Sequence, residues 1–273
     1  MRIRIIDAFT DRPFAGNPAG VCLLETGTWP DAVWMQRIAA ELGHETAFAR
    51  PLPVGADADW ALRWFTPASE SNLCGHATLA TAHALHSDRA LPLTVRFASN
   101  FGLLTARTGH DGAITLDFPA AFPTETPSPE GLGHALGAKP QAAYRTGALA
   151  DLLAVVGDEA AVRALSPDFT ALAGFIRRDG SRGIIVTAAA AGRPGGYDFV
   201  SRYFAPASGI PEDPVTGSAH TALAPYWSDR LGRECLTGLQ ASARTGLVRT
   251  AVRGDRVHLT GHAVTIFDGV LTV

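Results

Sequence analysis

The sequence predicts an α+β protein built from two similar β-rich domains, each wrapped around one Ala-rich helix. Three observations point there. The chain states one pattern twice: residues 63–85 read RWFTPASESNLCGHATLATAHAL and residues 202–223 read RYFAPASGIPEDPVTGSAHTAL. Aligning Arg63 with Arg202 gives an offset of 139, and aligning Gly75 with Gly217 gives 142, close to half of the 273 residues. A repeat at that distance implies duplicated domains rather than a short motif used twice. Strand-like runs outnumber long helices, which disfavours a doubly wound parallel sheet. Residues 119–129 (PAAFPTETPSP) form the clearest composition shift and read as an interdomain linker, giving expected domains at 1–119 and 120–263.

Taken in order, strands are expected at 3–9, 20–24, 46–49, 61–65, 93–97, 102–107 and 113–118, the last three as an antiparallel meander. A first helix starts near Pro30 and Asp31, carries Val33, Trp34, Ile38 and Leu42 as its apolar stripe, and stops at Gly43. A second follows Gly75 to about His86. In the second half, short helices fall at 130–136 and 159–165 and a longer one at 218–230. Strands are expected there at 152–156, 183–187, 197–204, 247–252, 257–260 and 264–267. In each copy of the repeat a strand enters a loop, then a small-residue turn, Cys74-Gly75-His76 or Thr216-Gly217-Ser218, and then the Ala-rich helix. Such helix starts suit an anion, because their N–H groups point outward and the dipole favours negative charge.

Composition removes several classes of function. The formal net charge of −3 gives no basic footprint for nucleic acid. No apolar run reaches the roughly 20 residues of a membrane helix. Cys22, Cys74 and Cys235 are too widely spaced for a disulfide framework, which favours a reducing cytoplasm. Of the 23 basic residues, Lys139 alone is lysine, and no GxxxxGK[ST] surrounds it. Schiff-base and P-loop chemistry are therefore disfavoured.

Four places can carry chemistry. Glu45, beyond Gly43-His44 and before the apolar run TAFA, sits at the edge of a core and suits proton transfer; a helix-end Glu paired with Arg reads as well from position alone. His76, at a helix start where the dipole discourages protonation, suits hydrogen bonding to a substrate, or a structural cap. Asp213, Thr216 and Ser218 form the counterpart, with a helix capped by Thr216 or Ser218. Asn17, between Gly16 and Gly20, offers an amide for a carboxylate or marks an ordinary turn. Cys74 and His76 lack a second paired cluster, so zinc is not expected. His44 and His220 neighbour these motifs and receive no role.

Five stretches in order, IIDAFTDRPFAGNPAGV, HETAF, RWFTP…CGHATLATAHAL, SRYFAP…EDPVTGSAH and HLTGHAV, resemble the PhzF-like family of phenazine-biosynthesis isomerases. The resemblance implies the diaminopimelate epimerase-like fold: two pseudo-symmetric barrel-like domains, the active site in the cleft between them, and residues 264–273 returning to the first. It implies proton transfer on a small carboxylate substrate with neither metal nor organic cofactor, in a homodimer; composition adds the expectation of a cytoplasmic protein that binds neither nucleic acid nor membrane. By position, Glu45 matches the family's acid/base residue and His76 its site histidine. Asp213 and Ser218 match residues that hold and polarise the substrate. Gly75 and Gly217 would bring backbone N–H groups to its carboxylate, with Asn17, Cys74 and Thr216 alongside. His44 stands where the family often has Ser, and His220 where small residues are common. Two-thiol racemases of the same fold carry a cysteine on each turn; here the second turn has Thr216. A one-thiol epimerase or dehydratase using Cys74, and a non-catalytic small-acid binder, are the alternatives.

Overall fold

Strand β1 (Arg2–Ala8) is held on both sides, antiparallel to β2 (Asn17–Leu23) and to the C-terminal strand Ala263–Val270. The computed structural model describes residues 1–25, 27–89, 94–192 and 196–272; the start of the strand expected at 93–97 and residue 273 lie outside this set. Two compact units result, Met1–Phe118 with Thr260–Val273, and Pro119–Leu259. The last strand thus belongs with the first one. Among the described residues no helix is long and apolar enough to cross a membrane.

In the first unit, β2 runs parallel to β3 (Thr46–Pro51), joined through helix α1 (Ala32–Leu42). Asp31 caps α1 by accepting from the N–H groups of Val33 and Trp34, and Gly43 ends it at φ 65°. The helix buries Met35, Ile38 and Ala39 against Ile3, Cys22, Phe48 and Phe65. The expected stripe is corrected at Val33, which is 58% exposed: the buried face starts one turn position later. Strand β3 pairs antiparallel with β4 (Trp60–Phe65), which carries the short β5 (Glu70–Ser71). Helix α2 (Gly75–Arg89) then leads to β6 (Thr94–Ser99), parallel to β4, and the meander closes with β7 (Gly102–Thr108) and β8 (Ile114–Pro119). Helix α2 touches β1, β2, β3, β7 and the C-terminal strand. Its Ala77, Leu79, Ala80, Ala82, Ala84 and Leu85 are buried, as a small-residue helix surrounded by sheet requires.

The second unit repeats this plan. Strand β9 (Thr124–Thr126), inside the expected linker, pairs with β10 (Ala142–Arg145), and β10 with β11 (Leu152–Val155). Helix α3 (Leu132–Leu136) lies between β9 and β10 in sequence. After α4 (Glu159–Arg163) and α5 (Phe169–Asp179), β12 (Ile184–Ala189) runs parallel to β11. Strand β13 (Phe199–Ala205) pairs antiparallel with β12 and carries the short β14 (Ile210–Asp213). Helix α6 (Gly217–Leu231) leads to β15 (Cys235–Gln240), parallel to β13, and then β16 (Gly246–Arg253). Strand β17 (Arg256–Gly261) carries the chain to the boundary of the units. The pairing sequence of β10 to β16 is that of β1 to β7, with α6 in the place of α2.

Alternation along β12 builds two cores. Ile184 and Val186 face Leu132, Leu172, Phe175 and Ile176, while Ile185 faces Ala219, Leu223 and Trp227. The repeated arginine explains itself structurally. Arg63 forks onto Glu70 at 2.7 and 2.8 Å and lies over Phe65, and Arg202 forks onto Glu212 at the same two distances and lies over Phe204. Each fork pins the short strand that precedes its turn.

Candidate active site

The first cluster lies wholly in the first unit. Strands β2 and β3 come close because Gly20 has no side chain: a Cβ there would sit 2.5 Å from Thr46 Oγ1. Gly20 N–H donates to the Glu45 carbonyl at 2.9 Å, fixing the residue that precedes β3. Gly16 (φ +67°) brings the chain into β2 where a Cβ would meet the Ala8 carbonyl at 2.2 Å. Asn17, next in sequence, is thereby buried, and its Nδ2 lies 3.2 Å from His76 Nδ1.

These contacts assign the imidazole tautomer. With Nδ1 accepting from the Asn17 amide, the ring proton sits on Nε2, which lies 3.2 Å from Glu45 Oε2. The Cys74 thiol donates to the same oxygen at 3.4 Å, and its sulfur lies 3.6 and 3.8 Å from the two ring nitrogens. Burial, aided by the charge of His44, pushes His76 down to about 3, so the ring is neutral at pH 7. Its contact with Glu45 is therefore one between a neutral ring and a carboxyl rather than an ion pair. Glu45 is the partly exposed member of the set, with a side chain 21% exposed against 4% for His76. The asparagine amide nitrogen faces the histidine.

The spacing reading set zinc aside for want of a second ligand cluster, but the fold brings a third donor from 29 residues away. Ligand atoms of Glu45, Cys74 and His76 all lie within 4.8 Å of one another.

The second cluster lies wholly in the second unit, around the start of α6. Thr216 occupies the N-cap position but makes no side-chain cap; its hydroxyl donates to Asp213 Oδ2 at 2.6 Å. The carboxylate is the stronger partner, because a charged acceptor shortens and strengthens the bond. Buried Gln240 ties this turn together, accepting from Thr216 N–H at 2.8 Å and donating to the Asp213 carbonyl at 2.6 Å. Ser218 Oγ accepts from Arg182 Nη2 at 3.0 Å. Arg182 in turn forks onto Asp151, at 2.9 Å through Nε and 2.5 Å through Nη2, and Tyr203 donates to Asp151 at 3.0 Å. Burial raises the Asp151 carboxyl above its usual range, against the lowering effect of Arg182 and Tyr203.

Asp151, Arg182 and Tyr203 were not legible in the sequence. They lie on three different stretches and share no motif. His220, without a role in the sequence, is fully buried, donates from Nδ1 to the Thr216 carbonyl at 2.9 Å, and is pushed by burial down to about 4. Its Nε2 is buried without a hydrogen-bond partner among the described residues.

The sequence model of the PhzC-PhzF family, phenazine biosynthesis-like proteins, matches residues 6–269. An uncharacterized isomerase of Pseudomonas aeruginosa is 47% identical over 269 residues, covering 97% of this chain and 96% of its own. The crystal structure of a PhzF-family protein from Enterococcus faecalis superposes with a TM-score of 0.88 at 40% identity, covering 98% of this chain and 97% of the other. A hydroxyproline epimerase from Agrobacterium vitis, 13% identical, superposes with a TM-score of 0.65 over 98% of this chain and 91% of its own, and shares the fold.

Proposed function

This chain belongs to the PhzC-PhzF family of phenazine biosynthesis-like proteins, and on that footing we propose that it is an isomerase moving a proton on a small carboxylate-bearing substrate, with Glu45 as the proton carrier. The observation that carries this reading is the placement of Glu45 Oε2, which accepts from the Cys74 thiol and lies 3.2 Å from His76 Nε2. The thiol bond holds the carboxyl in place while the neutral ring beside it adds no positive charge. A carboxyl so held can take a proton from one carbon and return it to another without reorganising its surroundings. Asn17 sets the tautomer that leaves the His76 proton on Nε2.

Asp213 and Ser218 hold and polarise the substrate, assisted by Thr216 and by the first backbone N–H groups of α2 and α6 at Gly75 and Gly217. Ser218 Oγ accepts from Arg182, so its own proton is directed toward another acceptor, such as a substrate carboxylate. The reaction needs no organic cofactor in this reading, and the protein acts as a homodimer in the cytoplasm.

The position of the Cys74 sulfur, within 4 Å of both Glu45 and the His76 ring, favours one second reading, a one-thiol epimerase or dehydratase. Incubating the protein in deuterated water with a panel of cyclic acids and amino acids tests both. Deuterium gain at carbon, lost in Glu45→Gln, is the expected result. Binding without exchange from pH 5 to 9 would make the protein a small-acid binder instead.

A further inference from the structure

We propose that Glu45, Cys74 and His76 form a binding site for a divalent transition cation of the zinc class, which switches the protein off by occupying the proton carrier. The donor set is one carboxylate, one thiol and one imidazole, the three ligand types that zinc takes. Tetrahedral bonds of about 2.1 Å to O, 2.05 Å to N and 2.3 Å to S place the donors about 3.4 Å (O to N), 3.6 Å (O to S) and 3.6 Å (N to S) apart. The separations found are 3.2, 3.4 and 3.8 Å, so the atoms need to shift by only a few tenths of an ångström. Three protein ligands leave a fourth position for water, and Glu45, the partly exposed member, gives the entry side.

Binding changes two protons. Cys74 loses its thiol proton to solvent and binds as thiolate, and His76 shifts its ring proton from Nε2 to Nδ1 so that Nε2 can take the metal. Turning over the Asn17 amide then presents Oδ1 to the new Nδ1–H, the outer-shell acceptor that a metal-bound histidine normally has. The other thiols do not compete for this role. Cys22 is buried and pushed up to about 12, and Cys235 lies on the surface beside Arg253 in the second unit.

Binding stands apart from the proposed reaction; only the loss of turnover rests on that reading. The test is a titration of the full-length protein with zinc, read by competition with a chromophoric chelator and, with cobalt in its place, by visible absorption. One ion per chain is expected, with tetrahedral cobalt and thiolate bands. Affinity should fall at least tenfold in Cys74→Ala and be unchanged in Cys235→Ser. Cys74→Ser serves the same purpose if the alanine variant does not fold. Equal uptake by wild type and the Cys74 variants, or no uptake, would overturn the site. Zinc binding with unaltered turnover would uphold the site and contradict Glu45 as proton carrier.

Discussion

The two glycine turns share a backbone and differ in what they gather. Each follows a strand whose Arg–Glu fork pins a short partner strand, and each opens a 15-residue helix, α2 or α6. At the first turn, a neutral thiol and a neutral ring lie against a single carboxylate, and the carboxylate comes from outside the repeat. At the second, the carboxylate Asp213 is within the repeat and is tied to Thr216, while Arg182, paired with Asp151 ahead of β12 and β11, reaches Ser218. The backbone of the turn occurs twice; in the proposed reading, one copy moves a proton and the other holds a charge.

Four changes break or sharpen this contrast, and they rank by size. Glu45→Gln should cut turnover about a thousandfold with the circular dichroism spectrum unchanged, since general acid–base groups contribute on this scale. An equal loss from Asp213→Asn would erase the distinction between the turns. Arg182→Ala should destabilise the protein by about 3 kcal/mol in denaturant titration, because Asp151, fully buried, loses its fork. A stability unchanged within error would show that the pair contributes nothing to the second turn.

Acid should act on both turns. His76 and His220 are held at about 3 and about 4, below the ordinary 6.5, so the unfolded chain binds more protons than the folded one between those values. Stability is therefore complete above pH 6.5 and falls as pH drops toward 4, with a slope approaching about 1.4 kcal/mol per pH unit for each ring. His220→Gln should remove its share of the slope in melts recorded across that range, and an unaltered slope would assign it to other groups. Thr216→Val, the smallest change, loses one hydroxyl bond to Asp213 and should cost about 1 kcal/mol, read from the denaturation midpoint.

The fold was largely legible because duplication is a long-range signal that survives in short strings. The α+β class and the helix-in-sheet plan followed from Gly75 and Gly217 opening Ala-rich runs. Helix α5 escaped notice although Asp168 caps it, Gly180 ends it and Leu172, Phe175 and Ile176 form its buried stripe. Thr170 and Gly174 lower its local helix propensity, and packing against α3 and β12 overrides them. Strands β10 and β15 were missed for a related reason: Ala142-Ala143 and Gly238 are weak strand formers that pairing alone fixes. At the candidate sites the residue types on the two turns could be read, but their partners could not. Nothing local marks Arg182 as the partner of Asp151 or places the Cys74 thiol on Glu45; the first contact exists only after parallel β11 and β12 pair, the second only after antiparallel β3 and β4 do.

The central claim is that the proton travels on Glu45 and not on Cys74. The most direct measurement is the rate of solvent-deuterium incorporation into a turned-over carboxylate, compared side by side in Glu45→Gln and Cys74→Ala. Exchange within about tenfold of wild type in Cys74→Ala, and about a thousandfold slower in Glu45→Gln, is the predicted result. Exchange abolished in Cys74→Ala and intact in Glu45→Gln would contradict it, and would make the thiol the working group of the first turn.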